Sequence, residues 1–125
     1  MSAAIDHLDD GTSERLRALP WRELGDGLRV YEATSFRARS RGLARLPALP
    51  AHLALHIDPC RSIHTFGMRF ALDLVWLDRD GGVVRIDRGI RPRRGAASRR
   101  SRSVIELASG AADRFLSAGL GSRRP

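Results

Sequence analysis

A chain of 125 residues has room for one domain and one core, and only seven residues are Trp, Tyr or Phe, so aliphatic side chains must fill it. The formal charge of +8 rests on 22 arginines with no lysine, an excess that attracts phosphates and anionic surfaces. Cys60 is the only cysteine, which excludes an internal disulfide and a Cys-based zinc site within one chain, and no apolar run approaches the roughly 20 residues of a membrane span.

Residues 1–19 read as a polar lead-in in which Thr12 or Ser13 caps a short helix that Pro20 stops. The segment Met1–Asp10 is acidic and lacks the basic start and apolar core of an export signal, so the expectation is a cytoplasmic protein. Leu28–Ala33 alternates apolar and polar residues and is a predicted strand. Thr34-Ser35 then offers an N-cap to a helix over Phe36–Leu46, with Phe36, Leu43 and Leu46 on one face and Pro47 beyond its end. Gly42 lowers the propensity of that helix by about 1 kcal/mol relative to alanine, which points to a close approach by a neighbour.

Leu53–Ile57 is a short predicted strand. Ile63–Phe70 and Leu72–Leu77 follow, with His64, Phe66, Met68, Phe70, Leu72, Leu74 and Trp76 in even register and Thr65, Gly67, Arg69 and Asp73 in odd. That period of two predicts one buried face, with Phe66, Phe70, Leu74 and Trp76 in the core. Asp78–Gly82 is a turn signal, and Val83–Ile86 returns as the second arm of a hairpin. Residues 87–102 read as a mobile basic loop, Val104–Leu107 as a last strand, and Ala111–Ala118 as a short helix. The organisation is a single globular domain over residues 20–120 and a tail over 121–125. The fold class is mainly β, a small sandwich or barrel with two short helices; an α+β sheet capped by the Phe36–Leu46 helix is the alternative.

Four segments carry a family resemblance. They are Arg39-Ser40-Arg41-Gly42-Leu43, Leu55-His56-Ile57-Asp58-Pro59-Cys60, His64-Thr65-Phe66-Gly67-Met68-Arg69 continued by Ala71-Leu72-Asp73 and Val75-Trp76-Leu77-Asp78, and Val104-Ile105-Glu106-Leu107-Ala108-Ser109-Gly110. In this order and spacing, between about Thr34 and Leu120, the chain resembles the prokaryotic family known as domain of unknown function 192. Ala71 stands where that family usually has proline, and the family's final G-D step is absent from Gly119–Pro125. The resemblance implies a compact jelly-roll-like β domain and no reaction.

His64, Arg69 and Asp73 are the polar candidates for a ligand site, since a histidine that changes charge near neutral pH joins an Arg and an Asp within ten residues. Four residues of strand span roughly 13 Å, so Arg69 and Asp73 meet only if the chain folds back near Ala71. The plainer reading is a histidine against the core and an Asp that accepts from backbone N–H groups at a bend. Cys60 and His64 form no metal site without a further ligand, and a nucleophilic Cys60 would need a lowered pKa and a base. No metal and no cofactor is expected.

Arg85 to Arg102 holds eight arginines against one acid, Asp87. The run contains no aromatic residue on which a base could stack, so Arg93, Arg94, Arg99 and Arg100 are candidates only for weak, nonspecific polyanion contact. The sequence thus points to a non-enzymatic binding or accessory module contacting a protein or small ligand. An enzyme or carbohydrate-type ligand binder using a His64/Arg69/Asp73 pocket is the alternative. A weak nucleic-acid binder acting through residues 85–102 is the second.

Overall fold

The computed structural model describes residues 13–35, 38–39 and 42–122. Helix α1 (Glu14–Arg17) is capped by Ser13, whose hydroxyl accepts from the Leu16 N–H at 3.3 Å. The strands are β1 (Trp21–Gly25), β2 (Leu28–Ala33), β3 (Leu53–Ile57), β4 (Ser62–His64), β5 (Leu72–Leu77), β6 (Val83–Ile90), β7 (Gly95–Ala97) and β8 (Ser103–Ala108), and helix α2 (Ala112–Ser117) follows. The domain is mainly β, with a sandwich-like layering and no closed barrel. Six strands form one sheet in the order β1-β2-β3-β8-β5-β6, and β4 pairs with β7 in a second. No helix among the described residues is long and apolar enough to cross a membrane.

Every pair in the large sheet is antiparallel except β2–β3, which run parallel in register from Arg29↔Leu53 to Ala33↔Ile57. A parallel pair needs a long crossover. Residues 34–52 supply it, and they bring Leu43, Leu46 and Leu49 down onto one face with Leu16 of α1. Phe36, assigned to that face by periodicity, lies outside the described residues, as does Thr12. Ala38 and Arg39 are helical, and Gly42–Arg45 form a turn.

The crossover face holds Tyr31, Leu55, Leu74, Trp76 and Val104, while the opposite face packs Val30, Val75, Ile105 and Leu107 beneath Phe115 of α2. Both faces of β5 are therefore covered, and all six of its residues are buried. An alternating pattern presumes one wet face, which a central strand under two layers lacks.

Several expectations need correction. The run Ile63–Phe70 is not one strand: β4 ends at His64 and the chain turns through Phe66-Gly67, with Gly67 at φ +82°. Phe66 is consequently 58% exposed instead of buried, and Phe70 is only half-buried. Thr65, expected on the outer face, is fully buried. Nor are residues 87–102 one mobile basic loop, since β6 continues to Ile90 and β7 pairs with β4 through Ser62↔Ala97, Ile63↔Ala96 and His64↔Gly95. Acids from distant segments relieve part of its charge: Arg88 meets Asp113 and Arg102 meets Asp58, each at 2.9 Å. The sequence carries no clear signal for β1. This strand pairs with β2 across Gly25-Asp26-Gly27, and its half-exposed edge-strand pattern gives little periodicity to read.

The hairpin β5–β6 matches the sequence reading. The Asp78 carboxylate accepts from the Asp80 and Gly82 N–H groups, both at 2.9 Å, and so closes the turn.

Candidate ligand-binding cleft

Glu106 is the anomaly of the core. Its register partners on the neighbouring strands are Leu55 of β3 and Leu74 of β5, and it is 2% exposed. Burial pushes its carboxyl up to about 7, against the lowering influence of the Leu43 N–H hydrogen bond and the charge of Arg15. One oxygen, Oε1, has no hydrogen-bond partner. A buried acceptor left unmet costs stability and needs an explanation.

Glu106 forms the floor of a cleft of about 170 Å³. Arg39 and Cys60 flank it, Met68 and Ile57 supply apolar wall, and His64 and Phe66 stand at the lip. The two rings are 5.7 Å apart between centroids and inclined by 56°. Arg39 also has a buried Nε without a partner, while its Nη1 donates to the Pro59 carbonyl at 3.4 Å. Among the described residues, Arg39 Nε and Glu106 Oε1 are the buried side-chain polar atoms lacking partners, and both groups line the same cleft. One is a donor and the other an acceptor.

The Cys60 thiol donates to the Ser62 carbonyl at 3.2 Å, and burial raises its pKa, so it is a thiol at neutral pH. No group of three His, Cys, Asp or Glu side chains among the described residues is arranged to hold a metal ion.

Gly42 makes the floor possible. It has φ +48°, and a Cβ there would lie 3.1 Å from Glu106 Oε1. The close approach inferred from an out-of-place glycine is thus to the carboxyl itself. Gly42→Ala is expected to cost about 1–2 kcal/mol from the left-handed conformation alone, and urea denaturation measures it. A loss below experimental error would mean that the crossover shifts freely over Glu106.

A family model described as uncharacterized ACR, DUF192, matches residues 22–119. The chain belongs to that family. A protein described as a "putative transcription regulator" from Sinorhizobium meliloti 1021 has a similar solved structure, with a TM-score of 0.65 at 22% identity over 77% of this chain and 79% of that one. A protein of unknown function from Novosphingobium aromaticivorans DSM 12444 gives a TM-score of 0.62 at 16% identity over 84% and 92%. At these identities the likeness is one of fold. Comparison with curated proteins finds no match.

In this DUF192 domain the three residues chosen from the sequence do not line one cleft. His64 lines it, while Arg69 is exposed elsewhere and Asp73 is 1% exposed. Asp73 Oδ1 accepts from the Gly89 N–H at 2.9 Å, and Oδ2 accepts from Gly110 at 3.0 Å and Ala112 at 3.2 Å. Gly89 lies at the irregularity where β6 holds one extra residue opposite β5, between Leu72↔Ile90 and Leu74↔Asp87. Asp73 therefore ties that bulge to the start of α2. Arg93, Arg94, Arg99 and Arg100 are all exposed.

Glu106 was visible in the sequence only as part of a family motif. An acid inside Val104–Leu107, an otherwise apolar strand, was the signal that could have singled it out.

A second polar group also escaped the sequence reading. His56 bonds Glu32 through Nδ1 at 2.7 Å and Ser103 Oγ through Nε2 at 2.8 Å. Burial raises the Glu32 pKa, but His56 and Arg22 outweigh it and hold the carboxyl below its ordinary value. The connectivity is that of a Ser–His–acid relay, with Ser103 3% exposed and lining, beside His56, a cavity of about 370 Å³. It serves as a cross-strand lock between β2, β3 and β8.

Proposed function

We propose that this DUF192 domain is a non-enzymatic binding module for a small ligand, and that the cleft over Glu106 is its site. The observation that carries this reading is the pairing of an unmet buried acceptor, Glu106 Oε1, with an unmet buried donor, Arg39 Nε, in one cleft. A ligand that donates to the first and accepts from the second removes both penalties at once. Binding is favoured over catalysis because Asp73 is occupied by three backbone N–H groups and Cys60 is held as a thiol. A cytoplasmic setting belongs to the same proposal, and a single cysteine is compatible with its reducing conditions.

The test is a fragment screen by amide NMR on the full chain. The expected hits shift the Leu43, Met68 and Glu106 amides, and Glu106→Gln weakens them at pH 8 by roughly tenfold or more, as for a charge-assisted bond. Hits that map away from these amides, and that Glu106→Gln leaves unchanged, would remove the cleft as the site.

A further inference from the structure

The cleft and the arginine-rich turn are distant in sequence and meet at Thr65. The Thr65 N–H donates to the Arg94 carbonyl at 2.8 Å, and its carbonyl accepts from the Arg93 N–H at 3.2 Å. Its hydroxyl donates to the Arg91 carbonyl and accepts from the Arg94 N–H, both at 2.7 Å. On the other flank, the Gly67 carbonyl accepts from the Arg45 N–H at 2.8 Å. The turn that exposes Phe66 is therefore held between Arg45 and the segment Arg91–Arg94.

Arg45, Arg91 and Arg93 are exposed, and none has a carboxylate within ion-pair distance among the described residues. Arg45 and Arg93 moreover sit at φ +67° and +65°, left-handed conformations that side chains with a Cβ resist. Such strain collects at binding sites. The arginine run lacks an aromatic residue in sequence, but the fold places Phe66 and His64 beside it.

We infer that the cleft takes a nucleotide unit, its heterocycle stacked at Phe66 and His64, its edge toward Glu106 and Arg39, and its phosphate at the arginines flanking the turn. This rests on the cleft being the binding site. A base has a flat π-face for an exposed ring and an edge carrying both donors and acceptors. A carboxylate accepts from an exocyclic amino group as Glu does from cytosine, and Arg39 Nε donates to a ring nitrogen or carbonyl. The cleft, at about 170 Å³, is below the range of about 300–1,000 Å³ for drug-sized ligands and suits one ring. A neutral sugar would leave the arginines without a counter-charge, an amine would face them as a like charge, and bare phosphate would leave Phe66 and Glu106 unused.

The experiment is a titration of the full chain with the four nucleoside monophosphates, the matching nucleosides, inorganic phosphate and a short single-stranded oligonucleotide, followed by amide NMR. A nucleotide, free or within the strand, is expected to shift Leu43, Phe66–Met68 and Arg93–Arg94 together, roughly tenfold more tightly than nucleoside or phosphate. Phe66→Ala is expected to weaken it about tenfold with an unchanged melting temperature, since the ring is exposed. Replacing Arg93 and Arg94 by serine reduces binding to the nucleoside level and flattens its salt dependence. Binding of monophosphates identifies a free nucleotide as the source, and binding of the strand alone identifies nucleic acid. Phosphate binding as tightly as any nucleotide, or nucleotide binding indifferent to Phe66→Ala, overturns the inference. Another ligand class shifting Leu43 and Phe66 while nucleotides do not also overturns it, but leaves the cleft reading intact. No shift there with any ligand class ends both.

Discussion

Asp73→Ala is expected to lower the stability of the domain by about 3–5 kcal/mol, because three N–H groups, one buried and two partly buried, lose their carboxylate acceptor, and hydrogen bonds of this kind contribute about 1.5–3 kcal/mol each. The groups belong to Gly89, Gly110 and Ala112, so the loss falls on the β6 bulge and on the start of α2 together. Ala111, the N-cap residue of α2, has no side-chain oxygen to offer in exchange. Against a total of about 5–15 kcal/mol for a domain, such a loss leaves little. Asp73→Asn retains one acceptor oxygen and is expected to keep one side of the bridge, with an intermediate cost. Equilibrium urea denaturation measures both variants. A cost below about 1 kcal/mol for the alanine variant would show that the carboxylate is not structural, and would return Asp73 to the list of candidate ligand groups.

Glu106→Gln is expected to act in the opposite direction and to stabilise the protein in mildly alkaline solution. The folded-state pKa of Glu106 is raised from 4.5 to about 7. Between those values the folded chain retains a proton that the unfolded chain has lost. The contribution of this group is thus fully present below pH 4.5, declines as pH rises, and is gone above about 7. The whole excursion is worth about 3 kcal/mol. Glutamine has no such excursion, so the difference between the two proteins isolates Glu106 from other titrating groups. At pH 8 the variant should be more stable by about 1–3 kcal/mol, and near pH 5 the two should converge. Parallel stability curves from pH 5 to 8 would show that Glu106 ionises as an exposed acid does. Stabilisation combined with weakened ligand binding is the signature of a group retained for binding at the expense of the fold.

The local devices were legible from residues alone because each is settled within a few positions. Asp78–Gly82 encodes its hairpin turn, Thr12-Ser13 a helix cap, and Gly42 its need for a close neighbour. The family and the mainly β class were equally legible, from motif order and from the period-two runs. Phe66 shows where that reading ends. Its place in an even register implied burial, but the register holds only while the backbone stays extended, and Gly67 at φ +82° breaks it.

The candidate site depended on contacts that no local pattern encodes. Glu106 reaches the crossover face because β8 lies between β3 and β5, and strand order is a property of the sheet. Whether an acid in an apolar strand is wet or buried depends on what covers it, here the 34–52 crossover that brings Gly42 over its oxygen. His64 joins Glu106 in the cleft while Asp73 does not, because Asp73 faces the α2 layer. The arginine run and the aromatic pair are about thirty positions apart in sequence and are brought together by the β4–β7 pairing and the buried Thr65. Backbone propensity and apolar periodicity act over a few residues, so the sequence alone determined turns, caps, strands and fold class. Side-chain burial and charge environment are sums over neighbours from every strand, and only the tertiary structure decided them.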